Sequence, residues 1–231
     1  MLWHKVQGAG GVVQPASFSF SDVVSDPANS STYTFTNVDI GEAAANRTLV
    51  LPVYALAGNG EVSSVEVNSN SATLLAGPVV NTSQGKTYLY AIDLAASSTA
   101  TIVVTLNADV FRLAVGVYSL YGFNSTPSSI SENDLLTGTN ETTAVTTAIS
   151  PSSGDAIICC GEVNTSPGVT GVTWSSSYGS LTEDYDFNPE NRFVSAASMV
   201  SPSSGSLTIS IAPTSAGTTI RELIAASFSP A

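Results

Sequence analysis

From Arg112 to Phe123 the chain reads RLAVGVYSLYGF, apolar at odd positions (Leu113, Val115, Val117) and at even ones (Ala114, Tyr118, Leu120) alike. A β-run with no polar phase has no face left for water, so this stretch is expected to be a central strand covered on both sides. Thr48–Ala57, Ala156–Cys160 and Arg221–Phe228 share that character, as if the four lie in one central region.

Shorter β-runs fill the rest. They are expected at Ser17–Ser21, Thr32–Val38, Ser63–Val67, Thr73–Leu75, Thr87–Asp93 and Thr101–Leu106, and then at Thr142–Ile149, Gly171–Trp174, Ser180–Glu183, Arg192–Met199 and Ser206–Ile211. Gly58-Asn59-Gly60, Ser83-Gln84-Gly85, Pro151 to Gly154 and Ser201 to Gly205 supply turns between them. No window sustains helical periodicity, and Asp134–Leu136 offers at most one turn. The expected fold is all-β, an antiparallel, jelly-roll-like β-sandwich. Its parts are an extended N-terminal arm at 1–16, a first sandwich half at 17–124, a linker loop at 125–141 and a second half at 142–231.

The two halves resemble each other. Leu49–Pro52 matches Ala156–Cys159 at an offset of 107 residues, and Val65–Val67 matches Val172–Trp174 at the same offset. Lys86–Tyr88 falls on Arg192–Val194, Ile102-x-Val104-x-Leu106 on Leu207-x-Ile209-x-Ile211, and Arg112 on Arg221. An order preserved with small drifts at turns is the signature of a duplicated unit. The halves are expected to pack as one body.

Composition narrows the function. Charged residues make up only 10% of the chain, and Ser, Thr and Asn supply the missing polarity. Six cations against eighteen acids give a net charge of −12. That balance opposes the phosphate neutralisation by which proteins hold nucleic acid or anionic membrane, so neither is an expected partner. Cys159 and Cys160 are adjacent in AIICCGEV, where neighbouring side chains point to opposite faces; they read as buried free thiols. Met1–Val13 has no continuous apolar core of a signal peptide, and no run is long enough to span a bilayer.

Catalytic patterns are missing. The single histidine, His4, has no second histidine for a His-based metal site and no acid near it in sequence. No serine stands in a Gly-x-Ser-x-Gly elbow, and Gly8–Gly11 lacks the lysine of a phosphate loop. The expectation is a protein that is not an enzyme and carries no cofactor. Asp184, Asp186 and Asn188 have the alternate spacing of calcium ligands, but an EF-hand would need Gly where Pro189 stands and Glu where Ser195 stands. The competing reading puts the three on the solvated face of an outer strand, with Tyr185 and Phe187 on the other. Trp174 and Tyr178 form either a platform for a glycan or ordinary sandwich core. In the arm, Trp3, His4 and Lys5 precede the Gly-rich stretch and are candidates for an interface, with Trp3 as its anchor.

The succession Arg47–Leu51, Ser63–Leu74, Tyr88–Ile92, Thr101–Thr105 and Ala114–Ser119 resembles the jelly-roll-type β-sandwich of structural proteins in tailed bacteriophage virions, among them head decoration, fibre and tail-surface components. The opening Met1-Leu-Trp-His-Lys, with its Gly-rich sequel, is similar to the starts of such proteins. Asn68-Ser69-Asn70 stands where that pattern usually has a Gly-Gly turn. The resemblance implies a multi-copy subunit on the virion surface, made in the host cytoplasm. Its partners would be other virion proteins (major capsid or tail proteins) and copies of itself. A carbohydrate-binding, lectin-like module of a receptor-binding appendage, contacting a host-surface glycan, is the alternative.

Overall fold

The computed structural model describes residues 14–80, 85–141, 143–165, 170–188, 192–214 and 218–231. Its organising element is β8 (Thr99–Tyr121), twenty-three residues long. Up to Leu106 its side chains alternate in burial, and from Leu113 to Tyr121 all are buried. The change follows from what covers each part. The first part lies between β2 (Ser30–Asp39) and β4 (Val62–Val67). The second lies between β1 (Ser17–Asp26) and β3 (Arg47–Gly58). β7 (Gly85–Asp93) and β6 (Thr73–Val80) continue the sheet beyond β3, and the two-residue β5 (Asn70–Ser71) borders β4. One hydrogen-bonded sheet thus bends around Asn107–Phe111 and packs on itself. Tyr33, Phe35, Val65, Ile102 and Val104 of one leaf meet Leu49, Leu51, Tyr88, Leu113 and Val115 of the other.

The second half repeats this arrangement with two separate sheets. One is β10 (Val145–Ile149), β15 (Leu207–Pro213) and β12 (Val172–Ser176), in the order β10-β15-β12. The other has the order β13-β14-β11-β16-β9, with β9 (Ser129–Glu141), β11 (Ala156–Thr165), β13 (Thr182–Phe187), β14 (Arg192–Val200) and β16 (Thr218–Phe228). These orders match β2-β8-β4 and β6-β7-β3-β8-β1 of the first half, strand for strand. Ile149, Ile157, Leu207, Ile209 and Leu223 lie in the core between them.

The halves meet through their larger leaves, giving four layers. Val50, Tyr54, Leu89, Ala114 and Tyr118 from the first half pack on Ile158, Cys160, Tyr185, Ala196, Ile224 and Phe228 from the second. Among the described residues this seam holds nineteen buried hydrophobic side chains, against twenty-one and thirteen in the cores within each half. It is therefore core, not a docking surface. Sheets covered on both sides carry apolar residues in both phases, which explains the runs at 48–57, 112–121, 156–160 and 221–228.

Three expectations need correction. The linker loop at 125–141 is mostly β9, paired along β16 from Ser227↔Ser129 to Thr218↔Glu141, and the helical turn at Asp134–Leu136 is part of that strand. Thr101–Leu106 and Arg112–Tyr121 are one strand shared by two leaves. The repeat is real in strand order, but the 107-residue offset is out of phase. It sets Leu49, which faces the first-half core, on Ala156, which faces the seam. Pairing Leu49 with Ile157 and Ser119 with Ser227, 108 residues apart in both cases, keeps the faces matched. A one-residue slip turns every side chain to the other face.

Candidate functional site

Three features gather polar chemistry: the end of the body where the arm joins, the seam, and a line of cavities leading from that end to β6. At the first, Asn46 clamps the chain just outside β1. Its Oδ1 accepts the Gln14 N–H at 3.0 Å, and its Nδ2 donates to the Gln14 carbonyl at 2.7 Å. Beside it Arg47 is buried and fans into five carbonyls, those of Ile40, Gly41, Glu42, Leu94 and Ala96, at 2.8–3.0 Å. The C-terminal residues reach the same end, where the Ala231 N–H donates to the Gly122 carbonyl at 2.8 Å. The arm therefore departs from a rigid point.

In the seam, Glu162 of β11 is fully buried and directly opposite Glu222 of β16, also fully buried. Arg192 of β14 donates to Glu162 Oε1 at 2.7 Å. Burial pushes the Glu162 carboxyl up to about 7; Arg192 beside it, and Arg112 from β8 across the seam, pull it back. Glu162 Oε2 has no hydrogen-bond partner among the described residues and lies against Gly85 of β7, where a Cβ would collide with it. Elsewhere in the seam the Tyr54 and Tyr185 hydroxyls are 2.8 Å apart, Tyr54 also reaches the Ser195 carbonyl at 3.1 Å, and Tyr118 donates to Asp184 Oδ2 at 2.8 Å. Burial raises all three tyrosines well above their usual range. The tyrosine hydroxyls are neutral ties between layers.

Three cavities follow one another from the arm end of the body to β6. One of about 300 Å³ touches Asn46, Thr48, Asp93, Phe123 and Ser125. The next, about 210 Å³, shares Asp93 and Ser125 with it and adds Thr73 and Leu75. The third, about 380 Å³, shares Leu75 and runs between β6 and β9 along Ala76, Gly77, Ile130 and Glu132. Glu132 Oε2 accepts the Gly77 N–H at 3.0 Å and bridges the two strands.

The calcium candidates do not converge. A bulge between Glu183 and Tyr185 breaks the alternation in β13. Asp184 consequently turns with Tyr185 toward the seam, where burial raises its carboxyl against the pull of Ser198 and Tyr118. Asp186 reaches the other way and accepts the Val172 N–H at 3.2 Å, while Asn188 Oδ1 accepts the Arg192 N–H at 3.1 Å. No group of three potential metal ligands occurs among the described residues. The glycan-platform candidates pack inward: Trp174 and Tyr178 are half-buried against the second-half core. Trp174 Nε1 donates to Ser195 Oγ at 2.8 Å, and the Tyr178 hydroxyl faces the Ser203 and Gly205 carbonyls at 3.4 and 3.3 Å. Trp3, His4 and Lys5 lie outside the described residues.

Sequence reading passed over Glu162, Glu222, Arg192 and Asn46. The first two had a visible signal, a lone acid inside a doubly apolar run (AIICCGEV, RELIAASF), since an uncompensated charge is not tolerated there. Asn46 carried none, because Asn is common in this chain.

No family model matches the chain, and no curated protein matches it. Among solved structures, a crystal structure of BuGH86E322Q in complex with neoagarooctaose aligns at 15% identity and a TM-score of 0.26, covering 90% of this chain and 33% of that one. The chain thus spans about a third of that protein's length, and a likeness at that score carries no argument.

Proposed function

We propose that this chain is a non-enzymatic structural protein of a bacteriophage virion, a multi-copy surface subunit such as a capsid decoration protein or a tail or fibre component, that assembles through its N-terminal arm. The observation that carries the reading is the fixed base of the arm: Asn46 holds both backbone groups of Gln14 at the end of a body whose two halves share one core. A doubly covered sheet cannot open without exposing apolar surface on both sides, so the body suits a part that works by shape. The resemblance of Arg47–Ser119 to virion jelly rolls supplies the setting, and the excess of acids over cations fits partners that are proteins. A carbohydrate-binding reading is less favoured, because Trp174 and Tyr178 are half-buried against the second-half core and Trp174 is hydrogen-bonded to Ser195. The test is deletion of Met1–Gly11. The shortened chain is expected to melt like the full one and to be missing from purified particles. Normal incorporation of the shortened chain refutes assembly through the arm.

A further inference from the structure

We propose that the groove between β6 and β9 receives residues Met1–Val13 of a second copy of this chain, held by side-chain contacts with Trp3 as the anchor. This rests on the reading of the protein as a self-assembling subunit and names the surface that the arm uses.

Four observations converge on the groove. β6 is the last strand of its leaf and pairs only with β7 among the described strands, so the groove beside it is open to side chains from outside the leaf. Continuous backbone pairing along this edge is not available, because Glu132 already accepts the Gly77 N–H and Pro78 has none. Leu74 on this strand is 45% exposed, and Leu75, Ala76 and Ile130 give the groove an apolar floor. The charges are complementary: the arm carries Lys5 and His4 and no acid, whereas Asp93 and Glu132 line the line of cavities and all eighteen acids of the chain lie from Asp22 onward. The lengths also agree. Thirteen extended residues reach about 43 Å at roughly 3.3 Å each, while the eight residues of β6 span about 26 Å. The remainder bridges from Gln14 to the groove mouth.

The exit of the arm and the mouth of the groove sit at the same end of the body. The first cavity touches Asn46, which clamps Gln14, and it is separated from the next by Asp93 and Ser125, hydrogen-bonded to each other at 3.1 Å and lining both. Two copies meeting end to end about a twofold axis can therefore each lay an arm into the other's groove, a closed, isologous exchange. The cavity of about 380 Å³ between β6 and β9 has room for one large side chain, and Trp3 is the only such ring in the arm.

Sedimentation velocity of the full chain over a concentration series tests this. A dimer is expected. Trp3→Asp and Glu132→Lys should each weaken it at least about tenfold without changing the melt, and Glu132→Gln controls for the bond to Gly77. Lys5→Glu combined with Glu132→Lys should restore most of the loss. If Trp3→Asp dissolves the dimer while Glu132→Lys leaves it intact, the groove is not the receptor and assembly through the arm stands. If both are silent, both ideas fall. A full chain that is monomeric at every concentration overturns the exchange, and the deletion experiment on particles then decides the arm's role separately.

Discussion

Replacing Glu162 by Gln removes a buried carboxylate of the seam whose ionisation changes within the accessible pH range. Burial holds its folded-state pKa at about 7, against an ordinary value of 4.5. Below about pH 4.5 the carboxyl is protonated in the folded and the unfolded chain alike. Between 4.5 and 7 the unfolded chain gives up the proton while the folded chain keeps it, so stability falls by about 1.4 kcal/mol per pH unit. Above 7 both forms are ionised, and the accumulated loss stays at about 3 kcal/mol. Gln keeps an oxygen for Arg192 and does not titrate. Urea unfolding followed by circular dichroism from pH 4 to pH 9 should therefore show the variant gaining about 3 kcal/mol on the wild type as pH rises through this window. Glu183, Asp184 and Asp186 are raised too, by burial first, and bend both curves the same way. The difference between the two proteins reports Glu162 together with the response of Glu222 directly opposite it. A difference that stays flat over the whole range, or that favours the wild type as pH rises, refutes the argument.

Arg192→Met leaves Glu162 in the seam without its 2.7 Å partner. Breaking a buried pair from one side costs about 3–5 kcal/mol, read as a lower urea midpoint at pH 8, and adding Glu162→Gln should recover part of it. Gly116→Ala places a methyl group against the Tyr185 hydroxyl, where Tyr185 is held by Tyr54. Overpacking of this kind costs about 1–3 kcal/mol. Tyr185→Phe in the same chain should restore part of the melting temperature, and no recovery at all would mean that the strain lies in the backbone.

What the sequence made legible was burial on two faces, because that is written in the phase of apolar residues along a single strand. The doubly apolar runs led to the shared core of the two halves. What stayed hidden were facts set by partners. β9 looked like a loop because Ser129 to Glu141 is mostly polar in both phases, with Ile130, Leu135 and Leu136 too few to show a period, as an edge strand bonded on one side can be. Its pairing is fixed by β16, not by its own propensity. Likewise the bulge at Asp184 separates it from Asp186. Alternation along a uniform strand predicts one shared face, and one extra residue is enough to undo it.

The in-phase alignment also shows where the halves have diverged. Tyr54 and Glu162 are 108 residues apart and equivalent, and their cross-strand partners Ala114 and Glu222 are equivalent too. Each side chain reaches across the seam to the opposite half, Tyr54 to Ser195 and Tyr185, Glu162 to Gly85. Two identical halves around a twofold axis would place like opposite like, and four buried glutamates in one seam would repel one another strongly. Joining both halves in one chain lets a single copy of the position carry the acid, with Arg192 beside it and Arg112 facing it from the other half. The tyrosine, raised by burial far beyond neutral pH, keeps its hydrogen bonds at any pH that leaves the protein folded. Raising the pH therefore acts on Glu162 and spares its equivalent Tyr54.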